Sequence, residues 1–450
     1  MRLRERAYGF AMEAAGAGSP ALGALLPAVA SGVAERRAAP AAIGEWARHG
    51  RDLARPLVWL HGASAGELIA AEEVLRFVRR EEPVQVVATY SSPSGAPAAA
   101  ALEPDYHGHP PFDAPRPCRR AAEAVRPDAL VFTRGDVWPH LALAARRAGA
   151  GTGLINATVA ADSSRLRTAA RWLLSPAYGR LRRVGAASEA DAERLLRLGV
   201  RSDVVRVTGD GAFDRAVARH RNPSPAARPL LAWLTREDSK RPEPGDRGAD
   251  RPLRLVAGST WPEDEEPLLA GVAKVERRGC PVELVLVPHR PEPESVAALA
   301  GRCAERLGRP PKLWSRVDGP RPRGESPLPL IVDVVGILAD LYGLADVAYV
   351  GGGFGKGGLH SVVEPAAAGL PVLFGPQGAR WEAVELEERG GAVRVSGPDV
   401  AETLERLADE SVRRRMGGAA RRYVEERCGG AAAGAALVLE LLGARSRRAG

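Results

Sequence analysis

Short runs of Val, Leu and Ile alternate with helix-patterned stretches along nearly the whole chain, and this alternation restricts the fold more than any other feature. In the first half the candidate strands are Leu57–Leu60, Val84–Tyr90, Ala129–Thr133, Gly153–Ile155, Val184–Ala187 and Val204–Thr208. In the second half they are Leu253–Ala257, Val282–Val287, Leu328–Val332, Val347–Val350, Pro371–Phe374 and Ala392–Val395. Leu68–Arg80, Glu189–Leu198 and Val412–Arg427 carry helical patterns. Near-continuous apolar strands joined by helices predict an α/β chain of parallel sheets covered on both faces. A chain of 450 residues suits two or three domains. Residues 222–252 are rich in Pro, Gly and mixed charge and read mostly as a linker or solvated insertion, despite the short apolar LLAWL. The predicted divisions are therefore 1–221, 222–252, 253–427 and an Ala/Gly/Arg-rich tail, 428–450. Two Rossmann-like domains with sheets facing across a cleft would place ligands at the carboxyl ends of the strands.

Composition narrows the function classes. Hydrophobic residues at 45% and charged residues at 26% exclude a wholly disordered chain. The formal charge is +8, but only four of 63 basic residues are lysines, and Ala and Gly are abundant. That bias reads as genome composition and not as selection for nucleic acid. A basic surface still favours anionic partners, an anionic membrane surface among them. At 5% aromatic residues, no stacking platform for single-stranded nucleic acid is evident. Cys118, Cys280, Cys303 and Cys428 are far apart with no CxxC pair, which points to neither zinc nor a disulfide scaffold and suits a reducing compartment. No run approaches the roughly 18 apolar residues of a membrane span. The opening MRLRER and the Ala/Gly-rich run behind it, broken by Glu13, read as a surface-lying amphipathic segment, with a signal peptide as the alternative. Ser315–Pro327 reads as an exposed loop.

Four motifs could carry chemistry. In WLHGASAGE (Trp59–Glu67), Ser64-x-x-Glu67 fits a capping box. Glu67 also sits at a strand's carboxyl end, where partial burial would raise its pKa and make it a general base. In AGSTWPEDEE (Ala257–Glu266), Ser259 or Thr260 is a natural N-cap, Glu263–Glu266 complement the helix dipole, and Gly258–Thr260 could offer N–H groups to an anion. In VPHRPE, His289 and Arg290 are adjacent donors behind a buried strand, suited to an anionic ligand. In YVGGGFGKGGLHSVVEP (Tyr349–Pro365), a Gly-rich loop containing Gly353 and Lys356 leaves a strand and is expected to enter a helix near Ser361. Ser361-x-x-Glu364 fits a second capping box, and a carboxylate at Glu364 could equally bond ribose hydroxyls. Gly353-x-Gly355-x-x-Gly358 fits the letters of a dinucleotide fingerprint but comes late in the domain and not at its first strand, and Lys356 followed by Gly357 does not fit a Walker A loop. No Asp-x-Asp pair suggests a divalent-metal site, and no cofactor is called for.

These motifs, in this order, resemble the 3-deoxy-D-manno-octulosonic acid (Kdo) transferases, glycosyltransferase family 30, from about Leu57 to the C-terminal helix. The H-x-A-S-x-G-E motif is matched by His61, Ala63, Ser64, Gly66 and Glu67; TYSSPSG (Thr89–Gly95) includes Ser94; VWP (Val137–Pro139) follows Asp136; and GDGAFDR, GSTWPEDE, PHRPE, Asp333–Leu338 and the Gly-rich loop follow. Arg134 replaces a second acid, Thr158 and Ala212 replace basic residues, and His360-Ser361 stands where the family has His-Asn.

The resemblance implies a GT-B fold and inverting, metal-independent transfer of Kdo from CMP-Kdo to a lipid A precursor at the cytoplasmic face of the inner membrane. It implies that Glu67 is the base and that His61, Ser64, Gly66, Ser94, Asp136 and Asn156 lie on the acceptor side. The nucleotide sugar would meet Gly258, Ser259, Thr260, His289, Arg290, Gly336, Ile337, Leu338, Gly353, Lys356, His360, Ser361 and Glu364. The alternatives are a GT-B transferase or epimerase using another nucleotide sugar, and a catalytically degenerate nucleotide-binding homologue.

Overall fold

The computed structural model describes residues 8–9, 27–235, 252–319 and 329–449. The chain divides into two compact units, Met1–Arg215 with Arg427–Gly450, and Ala216–Glu426. The predicted N-terminal segment, most of the 236–252 stretch and most of the 315–327 loop lie outside the described residues.

The first unit holds seven strands: β1 (Leu57–Gly62), β2 (Gln85–Tyr90), β3 (Tyr106–Gly108), β4 (Ala129–Thr133), β5 (Gly151–Ala157), β6 (Arg183–Ala186) and β7 (Val205–Val207). All pair in parallel, in the order β3-β2-β1-β4-β5-β6-β7. Side chains alternate across a strand, so β1 feeds both faces. Leu57 and Trp59 join one buried cluster with Leu130, Phe132 and Leu141, while Val58 and Leu60 join the other with Leu68, Val74 and Val438. That double burial explains why β1 reads as an unbroken apolar run.

The second unit repeats the plan with β8 (Leu253–Thr260), β9 (Val282–Pro288), β10 (Lys312–Leu313), β11 (Leu330–Ile331), β12 (Val347–Val350), β13 (Val372–Phe374) and β14 (Ala392–Arg394). The order is β10-β11-β9-β8-β12-β13-β14, again all parallel. In each sheet the strand order reverses beside the first strand, between β1 and β4 and between β8 and β12. Open α/β sheets bind ligands at that reversal, beyond the strands' carboxyl ends.

Three expectations are corrected. The tail is not a separate segment. Helix Gly430–Ala449 packs Ala431, Ala435, Val438 and Leu441 into the cluster formed by Val58 and Leu60 of the first sheet and by Leu68 and Val74 of helix Ala65–Glu81, and Glu440 pairs with Arg183 and Arg206. Its run of alanines lets the helix approach the sheet closely. The LLAWL stretch is core and not linker, because helix Arg228–Thr235 buries Leu230, Trp233 and Leu234 with Val256, Val285 and Val332. The unit boundary falls at 215/216, inside helix Gly211–Arg221, and not at 221.

Candidate active site

In the first unit, β1 turns at Ala63–Ser64 into helix Ala65–Glu81. Ser64 is the N-cap residue in extended conformation, but its hydroxyl makes no cap bond. The expected capping box does not form. Instead the Ala63 N–H donates to Glu67 Oε2 at 2.6 Å, holding the carboxylate over the end of β1. Burial raises the Glu67 pKa to about 7, aided by the negative charge of Asp136 and opposed by the Ala63 N–H, Arg134 and Arg165. The side chain is thus a carboxylate that exchanges its proton near neutral pH, as a general base requires.

The surroundings sort the other acceptor-side residues. Asp136 is ion-paired with Arg165, and Arg134 pairs with buried Asp210 at 2.8 Å. Asn156 is a brace. Buried at 1% exposure, it donates to the Ala70 carbonyl at 3.0 Å and accepts from the Gly211 N–H at 2.9 Å, so its amide ties β5 to two helices. Gly66 is exposed with open space beside it, and Ser94 is exposed with its hydroxyl 2.9 Å from that of Ser92. His61 is buried, its Nδ1 3.0 Å from Thr89 Oγ1 and its ring edge-on to Trp138.

In the second unit the helix after β8 starts later than expected. β8 runs on to Thr260, with a bulge at Ser259, whose φ is +53°. Thr260 is buried and its hydroxyl bonds Glu265 Oε1 at 3.3 Å, so neither residue caps the helix. The helix is Pro262–Arg277, and its N-cap is Trp261, whose N–H donates to Asp264 at 2.9 Å.

Asp264, read from sequence as one acid among several near a helix start, is fully buried and organises the Gly-rich loop. It also accepts from the Gly352 N–H at 2.8 Å, the Phe354 N–H at 3.2 Å and the Tyr349 hydroxyl at 2.9 Å. The loop is packed backbone against backbone. Gly352 has a φ of +93°, and a Cβ at Gly353 would lie 2.6 Å from the Gly375 nitrogen. Lys356 stands exposed at its tip. The loop does not enter a helix at Ser361. Ser361 is exposed and accepts from the Val363 N–H at 3.3 Å, the short helix Val363–Ala367 is capped by Val362, and half-buried Glu364 forms no capping box.

Beside this loop, three rings pack together. Trp261 stacks on His289 at 4.6 Å, and His289 lies 4.4 Å from His360. Trp261 Nε1–H donates to His360 Nε2 at 3.2 Å, which places the His360 proton on Nδ1. The Arg290 guanidinium lies 5.3 Å over Trp261. Burial, with Arg290's charge, lowers the His289 pKa, and burial with His289's charge pushes His360 down to about 4, so both rings are neutral at pH 7. The result is an uncharged cluster of tilted, stacked rings with one cation at its edge. Sequence reading found both histidines and Arg290 but missed Trp261, whose position between the Ser-Thr and Pro-Glu pairs was the available signal.

Gly258 completes the nucleotide-side set. A Cβ there would meet Leu338 Cδ1 at 2.7 Å and crowd the Tyr342 hydroxyl, so glycine is needed where β8 passes the 336–338 turn. In that turn Gly336 is exposed with its carbonyl accepting from Arg219 at 2.8 Å, Ile337 is buried and Leu338 half-buried. Arg219 also pairs with Asp340, a contact between distant segments that sequence gave no means to see. Among the described residues no group of three or more His, Cys, Asp or Glu side chains is placed to hold a metal ion.

The family model described as 3-deoxy-D-manno-octulosonic-acid transferase (kdotransferase) matches residues 32–215. The chain is 29% identical over 420 residues to the 3-deoxy-D-manno-octulosonic acid transferase of Bordetella pertussis, spanning 87% of this chain and 92% of that one. It is 30% identical over 340 residues to the transferase of Chlamydia pneumoniae, spanning 71% and 69%. The solved UDP-GlcNAc 2-epimerase from Neisseria meningitidis, bound to UDP-GlcNAc, is similar at a TM-score of 0.57 with 14% identity, covering 86% of this chain and 99% of that one. A glycosyltransferase from Rickettsia africae is similar at 0.55 with 14% identity, covering 87% and 98%. At such identities the structural likeness speaks for fold alone, and it agrees with two Rossmann-like units of the GT-B class. On the strength of its sequence relatives, the chain belongs to the 3-deoxy-D-manno-octulosonic acid transferase family and is a glycosyltransferase.

Proposed function

We propose that this Kdo transferase of lipopolysaccharide biosynthesis takes Kdo from CMP-Kdo and places it on a hydroxyl of a lipid A precursor, by a single inverting displacement without a metal ion. Glu67 removes the acceptor hydroxyl proton as its oxygen bonds to the anomeric carbon. The bond from that carbon to the CMP phosphate oxygen breaks, and CMP leaves with the electron pair. The single observation that carries this reading is the Glu67 carboxylate, held by the Ala63 N–H at the end of β1 with a pKa of about 7. The Trp261–His289–His360 cluster suits a pyrimidine base, and Arg290 and Lys356 suit the phosphate. Glu364 and the 336–338 turn are the candidate ribose contacts.

The test is CMP release by the purified chain. It should require both CMP-Kdo and a lipid A-type acceptor and persist in EDTA. Turnover of UDP-sugars in preference to CMP-Kdo would replace the donor, and tight CMP binding with no turnover on any such acceptor would make the chain a degenerate binder. Arg290→Ala should weaken CMP binding about 10- to 100-fold, since a hydrogen bond to a charged group contributes about 1.5–3 kcal/mol. Titration calorimetry checks this, and an unchanged Kd would remove Arg290 from the nucleotide site.

Among the described residues no helix is long and apolar enough to cross a membrane. We place the enzyme at the cytoplasmic face of the inner membrane, held peripherally by its arginine-rich surface. Retention in the soluble fraction at low salt would contradict that.

A further inference from the structure

A charged network in the second unit grips the turn that carries Gly336. The side chain of Asp340 is fully buried, on the short helix Leu338–Leu341. Arg219 Nε donates to one of its oxygens at 2.6 Å and Arg219 Nη2 to the other at 2.8 Å, and the Ser224 N–H adds a bond at 3.2 Å. Arg219 Nη2 also donates to the Gly336 carbonyl at 2.8 Å. Arg219, Ser224, Gly336 and Asp340 all lie within Ala216–Glu426, and Arg219 reaches the turn from helix Gly211–Arg221.

The turn itself is thinly covered. Val335 is 77% exposed, and Gly336 is exposed with a φ of +87°. A Cβ on Gly336 would meet nothing within 4 Å. Ile337 is its buried anchor. A glycine with open space beside it allows the following peptide more than one orientation, so packing does not choose between them.

The bond from Arg219 does choose. A trans peptide sets its carbonyl and its N–H on opposite sides of the chain. With the Gly336 carbonyl turned to Arg219, the Ile337 N–H of the same peptide points the other way. Among the described residues that N–H donates to no acceptor. The turn lies against the end of β8, where a Cβ on Gly258 would come within 2.7 Å of Leu338 Cδ1, and β8 leads directly into Trp261 of the ring cluster. The charge of Arg219 is balanced by Asp340, so Arg219 acts through the turn and not on a phosphate.

We propose that Arg219 is a positioning residue for the donor: by holding Asp340 and the Gly336 carbonyl together, it sets the Gly336–Ile337 peptide so that the Ile337 N–H faces the nucleotide. The assignment rests on the reading that the 336–338 turn meets the nucleotide.

The test is calorimetric titration of CMP into the wild-type chain, Arg219→Ala, Arg219→Lys and, as a control, Arg221→Ala, exposed on the same helix. Arg219→Ala should raise the CMP Kd about tenfold or more, the weight of a hydrogen bond properly presented to the ligand. KM for CMP-Kdo should rise in step, with kcat and the acceptor KM within about twofold. Arg219→Lys keeps a positive charge beside Asp340 but lacks the planar fork that reaches carboxylate and carbonyl together. It should melt near wild type and still bind CMP several-fold more weakly. The Lys variant decides alone if Arg219→Ala, with Asp340 buried and uncompensated, does not fold. A further readout is amide exchange: CMP should protect the Ile337 N–H in wild type, and that protection should be lost in both Arg219 variants at saturating CMP. Arg221→Ala should match wild type throughout. An unchanged Kd in Arg219→Ala, a Lys variant that regains affinity along with stability, or an Ile337 amide indifferent to CMP would overturn the proposal. If the wild-type chain prefers UMP and both Arg219 variants weaken UMP binding, the role of Arg219 stands while the CMP donor falls. A wild-type chain that binds neither nucleotide would overturn both.

Discussion

Glu67→Gln is expected to lower turnover by about 10²–10⁴-fold while leaving CMP-Kdo affinity within about twofold, the range by which positioned acid–base groups contribute. Gln keeps the shape and can still accept from the Ala63 N–H, so the fold at the start of helix Ala65–Glu81 should persist. What is lost is the ability to take a proton. The pH dependence follows from the same environment. The base works ionised and its pKa is raised to about 7, so wild-type kcat/KM should rise with pH through about 7 and level above it. The sign for stability is opposite. A folded pKa above the ordinary 4.5 means that the folded chain holds the proton more tightly than the unfolded one. Glu67's contribution is therefore most favourable below about 4.5 and is lost as pH rises through about 7. At pH 8 the Gln variant should melt no lower than wild type. Near-normal turnover, or an acid limb unchanged in the variant, would remove Glu67 as base.

The second large effect concerns Asp264. Asp264→Ala should destabilise the second unit by on the order of 4–8 kcal/mol, because four donors lose their acceptor, the buried Tyr349 hydroxyl and Gly352 N–H at about 1–3 kcal/mol each and the part-buried Trp261 and Phe354 N–H groups at about 1 kcal/mol each. That is comparable to the whole stability of a typical domain, about 5–15 kcal/mol. Asp264→Asn should cost less but still be severe, since its NH₂ would face donors. Both variants should also lose CMP-induced stabilisation, because Gly352 and Phe354 are no longer tethered. Glu263→Ala, one residue away and exposed, is the control and should change neither. Urea midpoints with and without CMP measure all three. A wild-type midpoint in Asp264→Ala would show that the loop is held some other way.

The contrast between these two carboxylates shows what a sequence reveals. Strands buried on both faces, such as β1 and β4, announce themselves as apolar runs, and both were bounded almost to the residue. β3 and β10 were missed because they are three- and two-residue strands at sheet edges, with partly exposed side chains and no apolar run. The last helix was misread because alanine and glycine contribute little to a hydrophobicity pattern, yet they let Ala431 and Ala435 reach complete or near-complete burial. Caps failed for a different reason. Ser64-x-x-Glu67 and Ser361-x-x-Glu364 satisfy a local rule, but the Ala63 N–H claims the first carboxylate and the second helix starts one residue later than the pattern implies. Asp264 was visible only as an acid in a first helical turn, since its decisive partners lie 85 to 90 residues further on. Candidate contacts at His289, Arg290 and His360 were legible because each follows a strand's carboxyl end. That they stack on Trp261 was not, because ring packing across separate loops has no sequence period.

The most direct measurement of the central claim is the mass spectrum of a tetra-acylated lipid A precursor after incubation with CMP-Kdo and the purified chain, with Glu67→Gln run in parallel. Acceptor heavier by one or more whole Kdo residues with the wild-type chain, and essentially unchanged acceptor with the variant, is the predicted result. Unmodified acceptor with a wild-type chain that binds CMP, or equal product from both proteins, would contradict it.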